Sequence, residues 1–496
     1  MPVTYAYPPD RVARGVAIRS YHQVLGAAGT RYRPTRIPVF AQGNAANTYS
    51  TTKRRVFSAE EVGEVEGWGS PAHLMVQSLF PEYGGGVGSI PVMLYPLDQP
   101  AAGGVQATGS ITPVPGTLTK TQEHQVKIGN ILSDKFSVVS TDTAATIATK
   151  IVAAINAILG MPAVATDGTG VSNLEVKWEG TSGNNVYVEV VSPIDTETSF
   201  TIVQPTGGAG VPDISAALAQ VGNIWETHII SALDYTDSDE LDEFALFGEG
   251  RRASEVHKPL CVFTGCNASW SAVTAVTDAR KTDRTNVILT NSGSHDLPFV
   301  IAADQVREIA KMDNQNPPHD YGSLPCTGLT PAADGDQWTS AQRDAAVKMG
   351  CSTVQVKDGV VQIGDVVTCY HPTGEEPPGF RYVVDFAKRS TVINELDLEF
   401  NGSKWDGKPL IPNNQVSTNP EARKPKHAVA ALYRIIDVLA LDAIIADPDF
   451  AKENSDADIG LTNPKRLDVK LVAKLAGNAN VISIDFASGF NYGGQS

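Results

Sequence analysis

The sharpest alternation of apolar and polar positions lies near the end of the chain. Apolar side chains recur at Leu467, Val469, Leu471, Ala473 and Leu475, and again at Ile482, Ile484 and Phe486. Ser483 and Asp485 fall on the opposite face of the second set. A period of two predicts strands with one buried face. Gly477-Asn478-Ala479-Asn480 between the sets is a turn signal, so a hairpin is the first expectation. After the second strand comes a tail of Gly, Ser, Asn and Tyr, with nothing to cover its edge. An apolar strand with an open edge pairs either with its own sheet or with that of another copy. Val481, Ile482, Ile484 and Phe486 are the residues expected to make that pairing.

Earlier patterns predict alternating helices and strands. Residues 1–22 read as an extended arm or a frayed terminus: Pro8-Pro9 blocks helix, and Val12, Val16 and Ile18 are weakly patterned. Residues 36–43 form a short apolar run ending in Gly43, a buried strand. Ser58-Ala-Glu-Glu61 is a capping box, and Ser70-Pro71 opens a helix with Ala72, Met75, Val76, Leu79 and Phe80 at helical spacing. The glycine run at 84–88 lacks a Gly-Lys-Ser/Thr ending and precedes a strand at 90–95, so it is a turn and not a phosphate loop.

Between residues 101 and 205 the composition turns to Thr, Ser, Gly and Val. Short strands are expected at 109–113, 125–131, 136–139, 174–178 and 186–191, with one helix over 143–159 capped by Asp142. This is a β-rich domain inserted into the first α/β unit. Residues 214–330 then alternate a helix at 216–221 with buried strands at 228–231, 260–263 and 287–289, which argues for a mixed or parallel sheet.

A helix from Ser340 ends at Gly350, and strands at 353–356 and 360–363 flank a Lys357-Asp358-Gly359 turn, with 367–370 extending that sheet. A helix over 380–398 and a turn-rich spacer at 401–425 lead to an apolar helix from His427 to Ile445. Val429, Leu432, Tyr433, Ile436, Leu439, Ala440 and Ala443 are its expected buried face. Arg423, Lys424 and Lys426 gather at its start, the end where the helix dipole disfavours cations. Such a cluster is either solvated or turned toward an acidic partner.

A length of 496 residues implies several domains. A net charge of -16 argues against nucleic acid as a partner, since phosphate binding rests on Lys and Arg. Five scattered cysteines form no disulfide framework and suit assembly in a reducing compartment. No apolar run is long enough to span a bilayer, and residues 1–15 lack the apolar stretch of a signal peptide. The chain contains no zinc helix, nucleophile elbow, Walker loop or dinucleotide fingerprint. Cys261, near His257 and Cys266, lies in an apolar run and is a core residue rather than a metal ligand. Ser294-His295-Asp296 holds triad residue types, but sequence neighbours rarely meet in triad geometry. No cofactor and no catalytic or metal-binding residue is expected.

Four ordered stretches carry a resemblance. The first is Val56-Phe57-Ser58-Ala-Glu-Glu-Val with Gly67-Trp-Gly-Ser-Pro-Ala-His-Leu-Met75. The second, in the insertion, is Ala107-Thr-Gly-Ser-Ile, Asp142-Thr-Ala-Ala-Thr-Ile-Ala, Ala154-Ile-Asn156, Lys177-Trp-Glu-Gly and Gly183-Asn184. The third runs from Ala341-Gln-Arg-Asp344 through Gly350-Cys-Ser-Thr353 to Asp358-Gly-Val-Val-Gln-Ile. The last is Thr462-Asn-Pro-Lys-Arg-Leu-Asp-Val469. In this order they resemble the tail sheath proteins of contractile bacteriophages of the Mu-like type. The N-terminal arm and the 401–425 spacer have no counterpart in the resemblance.

The resemblance implies an α/β (α+β mixed), multi-domain fold: a central mixed-sheet sheath core with an inserted β-rich domain and extended N- and C-terminal arms. The expected divisions are 1–22 (arm), 23–100 (first part of the core), 101–205 (outer insertion), 206–335 (α/β domain), 336–478 (C-terminal core domain) and 479–496 (strand arm). The implied function is that of a non-enzymatic subunit forming stacked six-fold rings around a tail tube. Contraction would drive the tube through the host envelope for genome ejection. Implied partners are other copies, the tail tube protein, and baseplate and tail terminator proteins, with no nucleic acid and no stable membrane insertion. The implied location is the virion tail, assembled in the host bacterial cytoplasm. The arms, including Val16 and Ile18, would add strands to neighbouring copies, and Arg423, Lys424, Lys426 and Arg434 would face the tube. A phage-like bacteriocin or secretion sheath, and a soluble α/β enzyme with an unrecognised site, are the competing readings.

Overall fold

In the computed structural model the described residues are 32–375 and 378–488. They divide into two units, residues 409–473 and residues 32–408 with 474–488. Among them no helix is long and apolar enough to cross a membrane.

The larger unit is built on the strand Ile37–Gln42, whose six residues are all buried. Parallel strands flank it, Val92–Leu97 on one side and His228–Ser231 on the other. Cys261–Cys266 and Asn286–Thr290 continue the parallel order, and Arg54–Val56 closes the opposite edge antiparallel, making a mixed six-stranded sheet. Strands buried on both faces need apolar residues at successive positions. Ile37, Val39 and Ala41 pack on the side of helices Pro71–Leu79 and Pro298–Gln315. Phe40 points the other way and joins Leu218 and Val221 of helix Ser215–Val221 and Phe244 of helix Ser238–Arg252.

Ser70 caps the 71–79 helix as its sequence predicts, accepting from the His73 amide. Ser58 accepts from the Glu61 amide at 3.3 Å, while the Glu61 carboxylate reaches back to the Phe57 amide and not to that of Ser58. Three helices beyond the expected one at 216–221 alternate with the strands of the six-stranded sheet, at Ser238–Arg252, Trp270–Ala279 and Pro298–Gln315. The 238–252 helix buries only Leu241, Phe244, Gly248 and Arg251. The 298–315 helix is buried continuously from Pro298 to Arg307, and Phe299, Ala302, Ala303, Val306, Ile309 and Ala310 form its apolar stripe.

Residues 106–206 form two four-stranded antiparallel sheets around the helix Ala144–Asn156. The cap of this helix is Thr143, reciprocally bonded to Thr146. Asp142, the expected cap, instead accepts from the Val139 amide and pairs with Lys150 at 2.6 Å. The buried Trp178 of this segment meets Phe299 of the 298–315 helix edge to face, with ring centres 5.6 Å apart.

Val354–Lys357 and Val360–Ile363 pair as the expected hairpin, with Asp358 and Gly359 at φ 53° and 76°. Pro325–Cys326 adds a third strand. Residues 367–370 do not extend this sheet. Their amides bond elsewhere, Thr368 to the Arg381 carbonyl and Cys369 to the Asn286 carbonyl. Helix Val383–Phe400 follows.

In the smaller unit, helix Pro425–Leu441 buries Ala428, Leu432, Ile435, Ile436 and Leu439. Tyr433, expected in the core, is 39% exposed, and Ala443 lies past the helix at φ 55°. The buried stripe is centred on Ile435–Ile436, of which only Ile436 lies on the expected face. The expected terminal hairpin is not formed. Leu467–Lys470 pairs backward with Asp456–Ile459, and residues 481–488 belong to no strand of this chain.

Candidate assembly surfaces

The C-terminal segment carries its apolar residues outward. Val481, Ile482, Ile484 and Phe486 are 90%, 74%, 81% and 86% exposed. Four exposed apolar side chains within six residues are the kind of patch that marks an interaction site. Just before them the chain is tied down. The Lys388 ammonium, on the 383–400 helix, donates to the Ala476 carbonyl at 2.6 Å and the Asn478 side-chain carbonyl at 2.5 Å, and pairs with Asp385 at 3.3 Å. The Asn478 amide group donates to the Pro318 carbonyl at 2.8 Å. Lys388 is buried, so these acceptors stand in for the water it has lost.

A second polar cluster surrounds Asp313 near the end of the 298–315 helix. Its carboxylate accepts from Arg33 at 2.6 Å, His228 at 3.0 Å and Tyr321 at 2.5 Å, and all four side chains are buried. Burial pushes the Asp313 carboxyl up, but His228, Arg33 and Tyr321 outweigh it and hold the group below the ordinary carboxylate range. Burial, partly offset by Asp313, lowers His228. The cluster is therefore an Arg–Asp ion pair with a neutral imidazole donating its Nε2–H.

The Gly67-Trp-Gly-Ser-Pro-Ala-His stretch serves packing. Gly67 and Gly69 lie at φ 99° and 78°, and a Cβ on Gly69 would sit 2.1 Å from the Met161 carbonyl oxygen of the 101–205 segment. The Gly69 amide donates to His73 Nδ1 at 3.2 Å. The Lys177 ammonium donates to the Trp68 and Leu159 carbonyls, each at 2.9 Å, and burial lowers it to about 8. Burial, helped by Lys177, takes His73 down to about 4.

Of the basic cluster, Arg423 and Lys424 precede the 425–441 helix and donate into their own loop, Arg423 to the Pro420 carbonyl and Lys424 to that of Gln415. Lys426 and Arg434 stand on the exposed side of the helix. The four are close in sequence but do not form one compact patch of free cations. Val16 and Ile18 lie outside the described residues.

No catalytic constellation emerges from the residues singled out. Among the described residues no three His, Cys, Asp or Glu side chains converge as a metal site. The five cysteines are buried and unbridged, and burial pushes Cys261 and Cys266 up to about 12, away from thiolate chemistry. His295 stacks on Tyr187 at 3.6 Å, and Asp296 accepts from the Thr330 amide and Asn291, so Ser294-His295-Asp296 is a structural loop.

No family model matches the chain. It is 25% identical over 403 residues to the Mu-like prophage FluMu tail sheath protein of Haemophilus influenzae, which covers 77% of this chain and 78% of that one. Among solved structures it is similar to the sheath tail protein of Desulfitobacterium hafniense, at 13% identity and TM-score 0.46, covering 93% of this chain and 100% of that one. It is also similar to the sheath tail protein of Listeria innocua, at 13% identity and TM-score 0.48, covering 91% and 94%. A chain in the baseplate structure of the anti-feeding prophage is similar at 11% identity and TM-score 0.47, covering 97% and 100%. Its sequence similarity is to a tail sheath protein of the Mu-like phage type. On that sequence match the protein is a tail sheath structural protein and not an enzyme.

Proposed function

We propose that this chain polymerises as stacked six-fold rings around a tail tube. Collapse of the extended sheath then drives the tube through a host envelope for genome ejection. Its partners are other copies of itself, the tail tube protein, and the baseplate and tail terminator proteins. It resides in the virion tail after assembly in the bacterial cytoplasm. The 101–205 segment is the outer insertion, residues 336–478 are the C-terminal core domain, and residues 1–22 and 479–496 are the linking arms.

The observation that carries this reading is the exposed stripe of Ile482, Ile484 and Phe486 leaving a tied-down root at residues 476–478. A strand donated to a neighbour gains main-chain hydrogen bonds worth about 0.5–1.5 kcal/mol net each. Burying each of the three side chains adds about 1.5–3 kcal/mol as an upper estimate. An extended linker spans about 3.3 Å per residue, so such links survive a large rigid-body movement of the subunits. Lys426 and Arg434, with Arg423 and Lys424 beside them, face the tube through weak ionic contacts that release during contraction.

Electron microscopy of the purified protein tests the reading. Tubes or stacked rings are expected. A protein that stays monomeric at all concentrations and salt conditions overturns it.

A further inference from the structure

Two buried polar anchors lie where the chain joins the larger unit. One holds Arg33, directly after the N-terminal 31 residues. The other holds Ala476 and Asn478, directly before the exposed C-terminal stripe. Their partners come from the same two elements. Asp313, near the end of the 298–315 helix, accepts from Arg33, and Pro318 in the loop after that helix accepts from Asn478. Tyr321 closes the loop back onto Asp313. On the 383–400 helix, the Phe386 ring lies under the Arg33 guanidinium at 5.5 Å, and Lys388, two residues on, holds Ala476 and Asn478.

We propose that Arg33, Asp313, Lys388 and Asn478 form one common root from which both terminal segments leave the body. They are positioning residues that set the direction of the two linking arms together. This rests on the reading of the segments as linking arms. The physical reason is that each element contacts both segments. A shift of the 316–321 loop or of the first turns of the 383–400 helix cannot move one attachment without straining the other. Buried charges such as Lys388 and Arg33 tolerate little displacement from their partners, because the alternative is an unpaired ion in a low-dielectric interior. Two strands donated to neighbours from a single stiff root would hold their mutual angle while the subunits rotate.

The test uses the full chain with a nitroxide on Ala479→Cys, an exposed position just past the root. The five native cysteines are buried, so the label reports from one site. Mobility is read from the spectrum of the unpolymerised protein. Asn478→Ala is expected to shorten the label's correlation time at least threefold and to cut the polymerised fraction at least tenfold, with the unfolding midpoint unchanged. Arg33→Lys, which keeps a cation for Asp313 but loses the flat contact with Phe386, is expected to mobilise the same distant label at least twofold while remaining folded. If Arg33→Lys is folded and the label is unmoved, the anchors are independent and the common root is overturned. If Asn478→Ala leaves both mobility and polymerisation as in the parent, the anchor at 478 positions nothing and the proposal also falls. Mobilisation by both variants in a protein that never polymerises supports the root while refuting the sheath reading, so the two failures are distinguishable.

Discussion

Arg33 and Asp313 stand 280 positions apart in sequence and 2.6 Å apart in space, both buried. Breaking a buried pair by removing one partner leaves an uncompensated charge, which costs about 3–5 kcal/mol. Asp313→Asn keeps the shape and removes the charge, so it is expected to lower unfolding free energy by about that amount. Urea titration measures it, and a loss under about 1 kcal/mol would show that the pair is dispensable.

Residues 481–488 make no strand in this chain and their apolar side chains face solvent. Deleting residues 480–496 is therefore expected to leave the unfolding midpoint within error of the full chain and to abolish tubes and rings in electron micrographs. Polymers of normal length from the truncated protein would remove the segment from the assembly mechanism.

Reversing Arg423, Lys424 and Lys426 to Glu is expected to prevent extended sheath from forming on tubes. Contracted, tube-free sheath should still form. Exposed pairs contribute about 0–1 kcal/mol each, and the effect rests on their repetition around the rings. Co-assembly with purified tubes, scored by the length of sheathed tube, decides the matter. Normal lengths would make the cluster a solvated helix end.

Gly69 occupies φ 78° with its missing Cβ 2.1 Å from a carbonyl oxygen. Gly69→Ala is expected to cost at least about 1–2 kcal/mol from backbone strain alone, and more from the clash. Protease cleavage between residues 101 and 205 should accelerate alongside. Gly85→Ala supplies the contrast: φ is 80° but the space is open, so only the strain contribution applies.

His73, lowered to about 4 by burial and by Lys177 and packed at a tilt against Trp68, carries a pH signature. Its folded value lies below its unfolded value, so the unfolded chain binds the extra proton first. The stability this contributes is present above about 6.5 and is lost as pH falls toward about 4, up to roughly 3 kcal/mol. Asp237, raised to about 7 by burial and Asp234, has the opposite sign: its contribution is present at acid pH and lost as pH rises through about 7. The difference between wild type and His73→Gln isolates the imidazole. That difference should change between pH 6.5 and 4, and a flat difference curve would exclude His73 as the titrating group.

Local signals were legible where one face of an element meets water or where a cap must satisfy orphan amides. Ser58, Ser70 and the Asp358-Gly359 hairpin turn follow from side-chain chemistry within a few residues, and the strand at 37–42 from an unbroken apolar run. The resemblance to Mu-like tail sheath proteins was legible too, in ordered stretches such as the one holding Gly67 and Gly69, whose positive φ suits glycine. The 298–315 helix was not legible, although Phe299, Ala302, Ala303, Val306, Ile309 and Ala310 recur at helical spacing; the unbroken buried run from Pro298 to Arg307 blurs that stripe.

The alternation at 467–475 and 482–486 correctly announced extended segments with an apolar face. Period two states which side chains share a face, but it says nothing about the partner strand. Only the tertiary structure decided that Leu467–Lys470 turns back onto Asp456–Ile459 while Ile482, Ile484 and Phe486 remain uncovered in the single chain. In the same way, no pattern in the sequence joins Arg33 to Asp313 or Lys388 to Asn478. Such pairings depend on which elements the packed core brings together, and a single buried charge leaves no periodic trace.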